Sequence, residues 1–250
     1  MMSLVEISLG PAVKRLYLFK LRSYANLFVA LVVAQTIALL FTVGGMTGVT
    51  SGIGWDNMNI QVRFYSGSGI FIFTLLWILI ISILITLPPY RNIDFSFVTN
   101  RISSNLANIG FLITASVAGG ITASLGSLLV RNIFHYCSRA ELLIGNDFWV
   151  GPGDLISSMV VGMFYLLLLG AAGYLFGTLI QLHSSLVMIL PALVIGIFFY
   201  EAANQQVRIF RAVDFYTLER SPFLFLLKTL VSLVLIWALS IFVSNRKEIR

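Results

Sequence analysis

Six long apolar runs, separated by polar or charged residues, dominate this 250-residue chain. A bilayer core about 30 Å thick is crossed by about 20 helical residues. All but the fifth run reach that length, and only 10% of the residues are charged. We therefore expect an all-α polytopic membrane protein with six transmembrane helices in one transmembrane domain, residues 1–250. The predicted spans lie near 24–46, 68–88, 106–130, 155–180, 186–200 and 223–244.

The distribution of charge predicts the orientation of these spans. If the N-terminus is cytoplasmic, the inside segments carry nine basic residues, the outside segments carry six, and most of the acidic residues lie outside. Cytoplasmic connections are typically enriched in Lys and Arg. The pattern favours a multi-pass protein of the cell (plasma) membrane with both termini in the cytoplasm. The net charge of +6 is then explained by the basic residues of the cytoplasmic segments and does not indicate a nucleic-acid partner.

A basic, partly apolar stretch precedes the first span. Residues 8–22 contain Lys14, Arg15, Lys20 and Arg22 among leucines and aromatic residues. Such a sequence is typical of an N-terminal interfacial helix that lies on the bilayer with basic side chains toward anionic lipid. The alternative is a basic tail whose positive charge only fixes the topology.

A short polar and aromatic segment follows the second span. Pro88 and Pro89 end that span, because proline supplies no amide hydrogen and clashes with the preceding turn. The segment 91–105, which we predict to be cytoplasmic, carries Phe95, Phe97 and Ile102 among polar residues. Exposed apolar residues with a polar rim are typical of a docking surface. The alternative is that these side chains dip back into the membrane interface.

Small residues recur at helical spacing in the third and fourth spans. Spacings of four residues let two helix backbones approach closely within a membrane. The pattern predicts close helix packing, within the chain, at a dimer seam or along a pathway wall. Its members are Gly110, Thr114, Ala118, Thr122 and Gly126, a parallel row of Ser116, Gly120 and Ser124, and the pair Gly173 and Gly177.

The sequence offers little that could support catalysis. It contains no GxxxxGK[ST] phosphate loop, no HExxH and no GxSxG. The lone Cys137 and its neighbour His135 are too few for a metal site. Lys228, near one end of the last span, is expected to extend to the outer interface. From the absence of these motifs we expect that the chain is not an enzyme. Ion-coupled carriers generally need ionisable groups within their spans, so we also expect that a partner supplies the energy for any transport.

The order of these features along the sequence resembles that of the ABC-2 type permease family, and the resemblance covers essentially the whole chain. The resemblance rests on the basic entry from Lys14 to Arg22, the connection from Arg91 to Asn105, the small-residue third span and the fourth span, LLLLGAAGYLFGTLIQ. The short fifth run and the basic tail after the sixth complete it. The connection 131–154 is longer than the family pattern leads us to expect.

The resemblance implies a permease subunit that pairs with a second permease subunit, identical or homologous, and with a separate ABC ATPase subunit. ATP and Mg would bind to the ATPase, and this chain would bind no cofactor. The connection between spans two and three would be the coupling helix that docks on the ATPase. The residues carried over to that role are Asp94, Phe95, Phe97, Thr99, Asn100 and Arg101.

Two functions remain open from the sequence. The first is export of an amphipathic or hydrophobic substrate, such as a peptide, a drug or a lipid. The second is a membrane scaffold, immunity or sensor component that binds a partner protein without moving a substrate. The helix faces described above would serve either function.

Overall fold

A computed structural model describes most of the chain. It covers residues 9–44, 49–55, 58–64, 67–90, 101–137, 151–181 and 221–246. Between 182 and 220 it describes only 186, 188, 189, 192, 196, 199, 200, 214–216 and 219. The described elements are, in chain order, α1 (Leu9–Ser23), α2 (Ala25–Val43), β1 (Val49–Trp55), β2 (Met58–Phe64), α3 (Ser68–Leu84), α4 (Arg101–Cys137), α5 (Pro152–Ile180) and α6 (Pro222–Arg246).

Four of these helices are long and apolar enough to cross a membrane. They cover Ala25–Val43, Ile102–Phe134, Pro152–Ile180 and Pro222–Ser244, and they match the first, third, fourth and sixth predicted spans. Their outward faces carry large apolar side chains, for example Val32 at 61% exposure and Val234 at 63%. Faces of this kind are stable against lipid rather than water. The protein is therefore membrane-embedded.

The second predicted span is a shorter helix. Helix α3 has 17 residues. A tight turn follows it, in which the Leu87 N–H donates to the Leu84 carbonyl oxygen at 3.0 Å. The two prolines then follow, as the sequence predicts. The fifth predicted span, 186–200, lies largely outside the described residues. Six spans and the orientation of the chain stay predictions.

The strands β1 and β2 form an antiparallel hairpin, with Val49 opposite Phe64 and Trp55 opposite Met58. The all-α class is confirmed for the described residues outside this hairpin. The backbone groups on the facing edges of the two strands pair with each other.

The described contacts group into two compact units. Unit 1 contains Met1–Arg22, Leu79–Ile113 and Leu167–Arg250, and unit 2 contains Ser23–Ile78 and Thr114–Leu166. One boundary falls before Ser23, the last residue of α1, and the other three fall inside α3, α4 and α5, so these three helices contribute substantially to both units. The single domain over 1–250 stays a prediction.

Unit 2 has an apolar core formed by α2, α3 and α4. Ala38, Ile70, Ala123 and Val130 are buried together, and Phe73 packs beside them. The ring of Phe73 lies 6.0 Å from that of Phe41. Trp77 Nε1–H donates to Leu27 O at 3.0 Å, which satisfies its indole group inside the unit.

Candidate functional site

The predicted coupling residues lie almost entirely outside the described residues. Asp94, Phe95, Phe97, Thr99 and Asn100 fall in the segment 91–100, for which no structure is described. Arg101 is the first residue of α4. Their role in coupling stays a prediction.

The basic residues of α1 divide into two groups. Lys14, Arg15 and Arg22 are exposed, as an interfacial helix requires, but Lys20 is only 1% exposed. Lys20 belongs to the predicted interfacial helix, but its side chain is buried and does not share the exposed surface of the other three. Lys20 follows Leu16 by four residues, which places the two on one helix face, and Leu16 is also buried. The spacing to Leu16 was the signal for this burial.

Lys20 begins a chain of buried hydrogen bonds within unit 1. Its Nζ donates to Oδ1 of Asn108. The Nδ2 of Asn108 donates to the Tyr174 hydroxyl at 3.2 Å, and that hydroxyl donates to Oδ1 of Asn105 at 2.8 Å. We call these four residues the Lys20 chain. Tyr174 is 1% exposed, and Asn105 and Asn108 are 6% and 5% exposed.

Three helices position the Lys20 chain. Helix α1 supplies the ammonium group and α5 supplies the tyrosine. Asn105 and Asn108 are three residues apart near the start of α4, so both side chains lie on the same face. Burial of so many polar groups is costly unless they bond to each other, and at a membrane such groups typically mark a functional position. The Lys20 chain is therefore the candidate functional site.

The small-residue pattern of α4 and α5 does place helices close together. A Cβ added at Gly126 would lie 3.1 Å from Ile70 Cδ1, and one at Gly110 would lie 3.2 Å from the Tyr17 ring. A Cβ at Gly173 or Gly177 would overlap the hydroxyl of Ser82 or of Thr86, respectively. At these four glycines the structure leaves little or no room for a side chain, and the neighbouring atoms belong to the same polypeptide.

The other members of the pattern behave differently. Thr114 and Ala118 are only half-buried. Among the glycines of this pattern, the closest approach to another backbone belongs to the parallel row, since a Cβ at Gly120 would lie 2.6 Å from Met163 Cγ and 3.0 Å from Met163 N. Ser116 in the same row is fully buried. The tighter helix contact of α4 therefore follows the row of Ser116 and Gly120.

A second polar cluster, in unit 2, joins three helices through one glutamine. Gln35 Nε2 donates to Thr122 Oγ1 at 2.9 Å and to Thr74 Oγ1 at 3.1 Å. Each threonine hydroxyl also donates to the carbonyl four residues earlier in its own helix. The sequence pattern identified Thr122 as a small residue, but it did not identify Gln35 as its partner.

Replacement of Gln35 by leucine is expected to lower the free energy of unfolding by about 1 to 2 kcal/mol, because two interhelical hydrogen bonds are lost. The loss is modest because both threonine hydroxyls keep their carbonyl acceptors. Thermal unfolding in mild detergent measures it. Thr36→Val is the control, since Thr36 is exposed and bonds only to its own helix, at Val32 O. Equal losses in the two variants would contradict the interhelical role.

Lys228 has two partners at the start of α6. Its ammonium group forms a salt bridge with Glu219 and lies 4.1 Å from the centre of the Phe215 ring. One turn further on, the Ser232 and Tyr216 hydroxyls share a hydrogen bond of 2.7 Å. These contacts hold Phe215, Tyr216 and Glu219 against α6. The sequence placed Lys228 near a membrane boundary but identified none of these partners.

Comparison of the chain with protein-family models, with curated proteins and with solved structures finds no match. The function of this protein is therefore inferred from its own residues and geometry.

Proposed function

We propose that the chain is the membrane permease subunit of an ABC transporter, a multi-pass protein of the cell membrane that exports an amphipathic or hydrophobic molecule. A separate ATPase subunit would bind ATP and Mg, and a second permease subunit, identical or homologous, would complete the pathway. The N- and C-termini would both face the cytoplasm, on the side of the ATPase.

The observation that carries this proposal is the continuity of α4. This helix runs for 37 residues from Arg101, directly after the segment proposed to dock on the ATPase. At 1.5 Å per residue it is about 55 Å long, well beyond the bilayer core. A displacement at its first turn would therefore travel along one uninterrupted helix.

The start of α4 also supports the proposal. Asn105 and Asn108, one and two turns from Arg101, are the α4 members of the Lys20 chain. A movement of the docking segment would act directly on the contacts of α4 with α1 and α5. A transporter driven by a partner needs a connection of this kind between its docking surface and its helix packing.

The placement of charge supports an external energy source. Helices α2 and α3 contain no Asp, Glu, Lys, Arg or His, and in α5 the only such residue is Asp154 in the first turn. In α6 the charged residues are Lys228 and Arg246, near its two ends. Transport coupled to an ion gradient normally uses such groups deeper within the spans. Hydrolysis of ATP by a partner subunit avoids that requirement.

The Phe97→Ala, Arg101→Ala double variant tests the proposal. We expect the variant to insert and pair normally but to lose most of the ATPase turnover of the co-purified complex, because the docking contact is removed. The assay is ATP hydrolysis in nanodiscs after purification in mild detergent. Arg131→Ala, an exposed residue on the predicted outer side, is the control.

Unchanged turnover in the double variant would contradict the coupling assignment. Purification of the chain without any ATPase would contradict the permease function itself. That result would favour the scaffold, immunity or sensor alternative.

A further inference from the structure

The hydrogen bonds of the Lys20 chain all run in one direction. A protonated lysine can only donate, so Asn108 must turn its carbonyl oxygen toward Lys20. The amide nitrogen of Asn108 then faces the Tyr174 hydroxyl and donates to it. The hydroxyl, having accepted that bond, donates its own hydrogen to Asn105 Oδ1. The charge of Lys20 thus fixes the orientation of each later group.

This direction leaves one donor without an acceptor at the Asn105 end of the Lys20 chain. Because Oδ1 of Asn105 accepts from Tyr174, its Nδ2 faces away from the tyrosine. That nitrogen is buried and has no hydrogen-bond acceptor among the described residues. An orphaned buried donor is unfavourable, and it requires an acceptor from elsewhere.

The surroundings of Asn105 select the kind of acceptor. Ser103 and Ser104, beside it in α4, are 1% and 6% exposed. Asn105 lies one turn from the start of α4, where the helix dipole is positive. The buried ammonium of Lys20 polarises the donors that follow it. These features all favour a negatively charged oxygen over a neutral one.

We propose that the Lys20 chain is a binding site for an oxyanion, a phosphate or carboxylate group, one oxygen of which accepts from Asn105 Nδ2. The oxyanion would belong either to the headgroup of an anionic membrane lipid or to a soluble anion. The site does not depend on the proposed ATPase partner, so its test and the coupling test can fail separately.

The experiment uses the purified full chain in mild detergent and three probes. Dihexanoyl phosphatidic acid and dihexanoylglycerol share their acyl chains but only the first carries a phosphate group, and inorganic phosphate has no acyl chain. Binding is measured as a concentration-dependent rise in the unfolding temperature. We expect phosphatidic acid to bind at least about tenfold more tightly than dihexanoylglycerol, as a charge-assisted hydrogen bond to the phosphate implies.

Inorganic phosphate distinguishes the two sources of the oxyanion. Binding of phosphatidic acid with little binding of phosphate would support a lipid headgroup, and comparable binding of both would support a soluble anion. No preference for either phosphate probe over dihexanoylglycerol would overturn the proposal.

Two α1 variants separate the buried site from the exposed basic surface. Lys20→Gln and Arg15→Gln each remove one positive charge from the same helix, but only Lys20 is a member of the hydrogen-bonded Lys20 chain. We expect at least about a tenfold loss of phosphatidic acid affinity for Lys20→Gln and less than about threefold for Arg15→Gln. Equal losses would assign the binding to the exposed surface and overturn the proposal.

Asn105→Asp tests the terminal donor itself. Aspartate keeps an oxygen for the Tyr174 hydroxyl but places a second oxygen where the donor was, so anion binding should fall at least about tenfold. If this variant does not fold, Tyr174→Phe interrupts the chain with the loss of a single hydroxyl and is expected to weaken binding severalfold. Full affinity in a folded variant of either kind would overturn the proposal.

Discussion

The Gly120→Ala substitution is expected to lower the free energy of unfolding by about 2 to 3 kcal/mol, the usual cost of forcing extra volume into a packed interior. The new methyl group would lie 2.6 Å from Met163 Cγ and 3.0 Å from the Met163 backbone nitrogen. A side chain could rotate away, but the backbone of α5 cannot move without carrying its neighbours. The measurement is thermal unfolding in mild detergent.

Gly162→Ala is the matched control for this prediction. Gly162 also lies in a long apolar helix, but a Cβ there would meet Phe71 at 3.4 Å, an ordinary contact distance. Because alanine favours helix more than glycine does, this variant is expected to be neutral or slightly more stable. If Gly120→Ala proves as stable as Gly162→Ala, α4 and α5 do not approach each other as closely as described.

The apolar runs predicted the described helices well. Run length and the two prolines placed α3 near its observed bounds, and the run 155–180 differs from α5 only at its N-terminal end. Such runs are informative because their length matches the thickness of the bilayer core, and few structures other than a transmembrane helix accommodate so many consecutive apolar residues. The sequence analysis does not predict the hairpin of β1 and β2, although β2 alternates strictly between apolar and polar side chains from Met58 to Phe64. The glycine-rich β1 shows no such alternation and therefore gives no signal for a strand partner.

The candidate site was much harder to predict from the sequence. The sequence places Lys20 in the predicted interfacial helix, but its positive charge gives no indication that it is buried beside Leu16. Asn105 and Asn108 resembled the polar border of a span, and Tyr174 resembled an ordinary aromatic residue of one. Their connection joins residues 88, 66 and 69 positions apart in the sequence. Contacts of that range depend on helix packing, which a single sequence does not specify.

Replacement of Asn108 by leucine is expected to lower the free energy of unfolding by about 3 kcal/mol. The variant takes an acceptor from the buried Lys20 ammonium and a donor from the Tyr174 hydroxyl. An ionised group that loses a buried partner costs more than the bond itself contributes, because water cannot replace the lost contact. Thermal or denaturant unfolding of the purified chain measures the loss.

The double variant Lys20→Met, Asn108→Leu gives the sharper result. With the charge and its acceptor both replaced by apolar groups of similar size, the pair no longer requires a hydrogen bond, and much of the lost stability should return. We expect the double variant to be at least about 1 kcal/mol more stable than the sum of the single losses implies. Lys14→Met, which removes an exposed charge from the same helix, should change stability by less than about 0.5 kcal/mol. Strict additivity would mean that Lys20 and Asn108 do not interact, and the Lys20 chain would then lack its first bond.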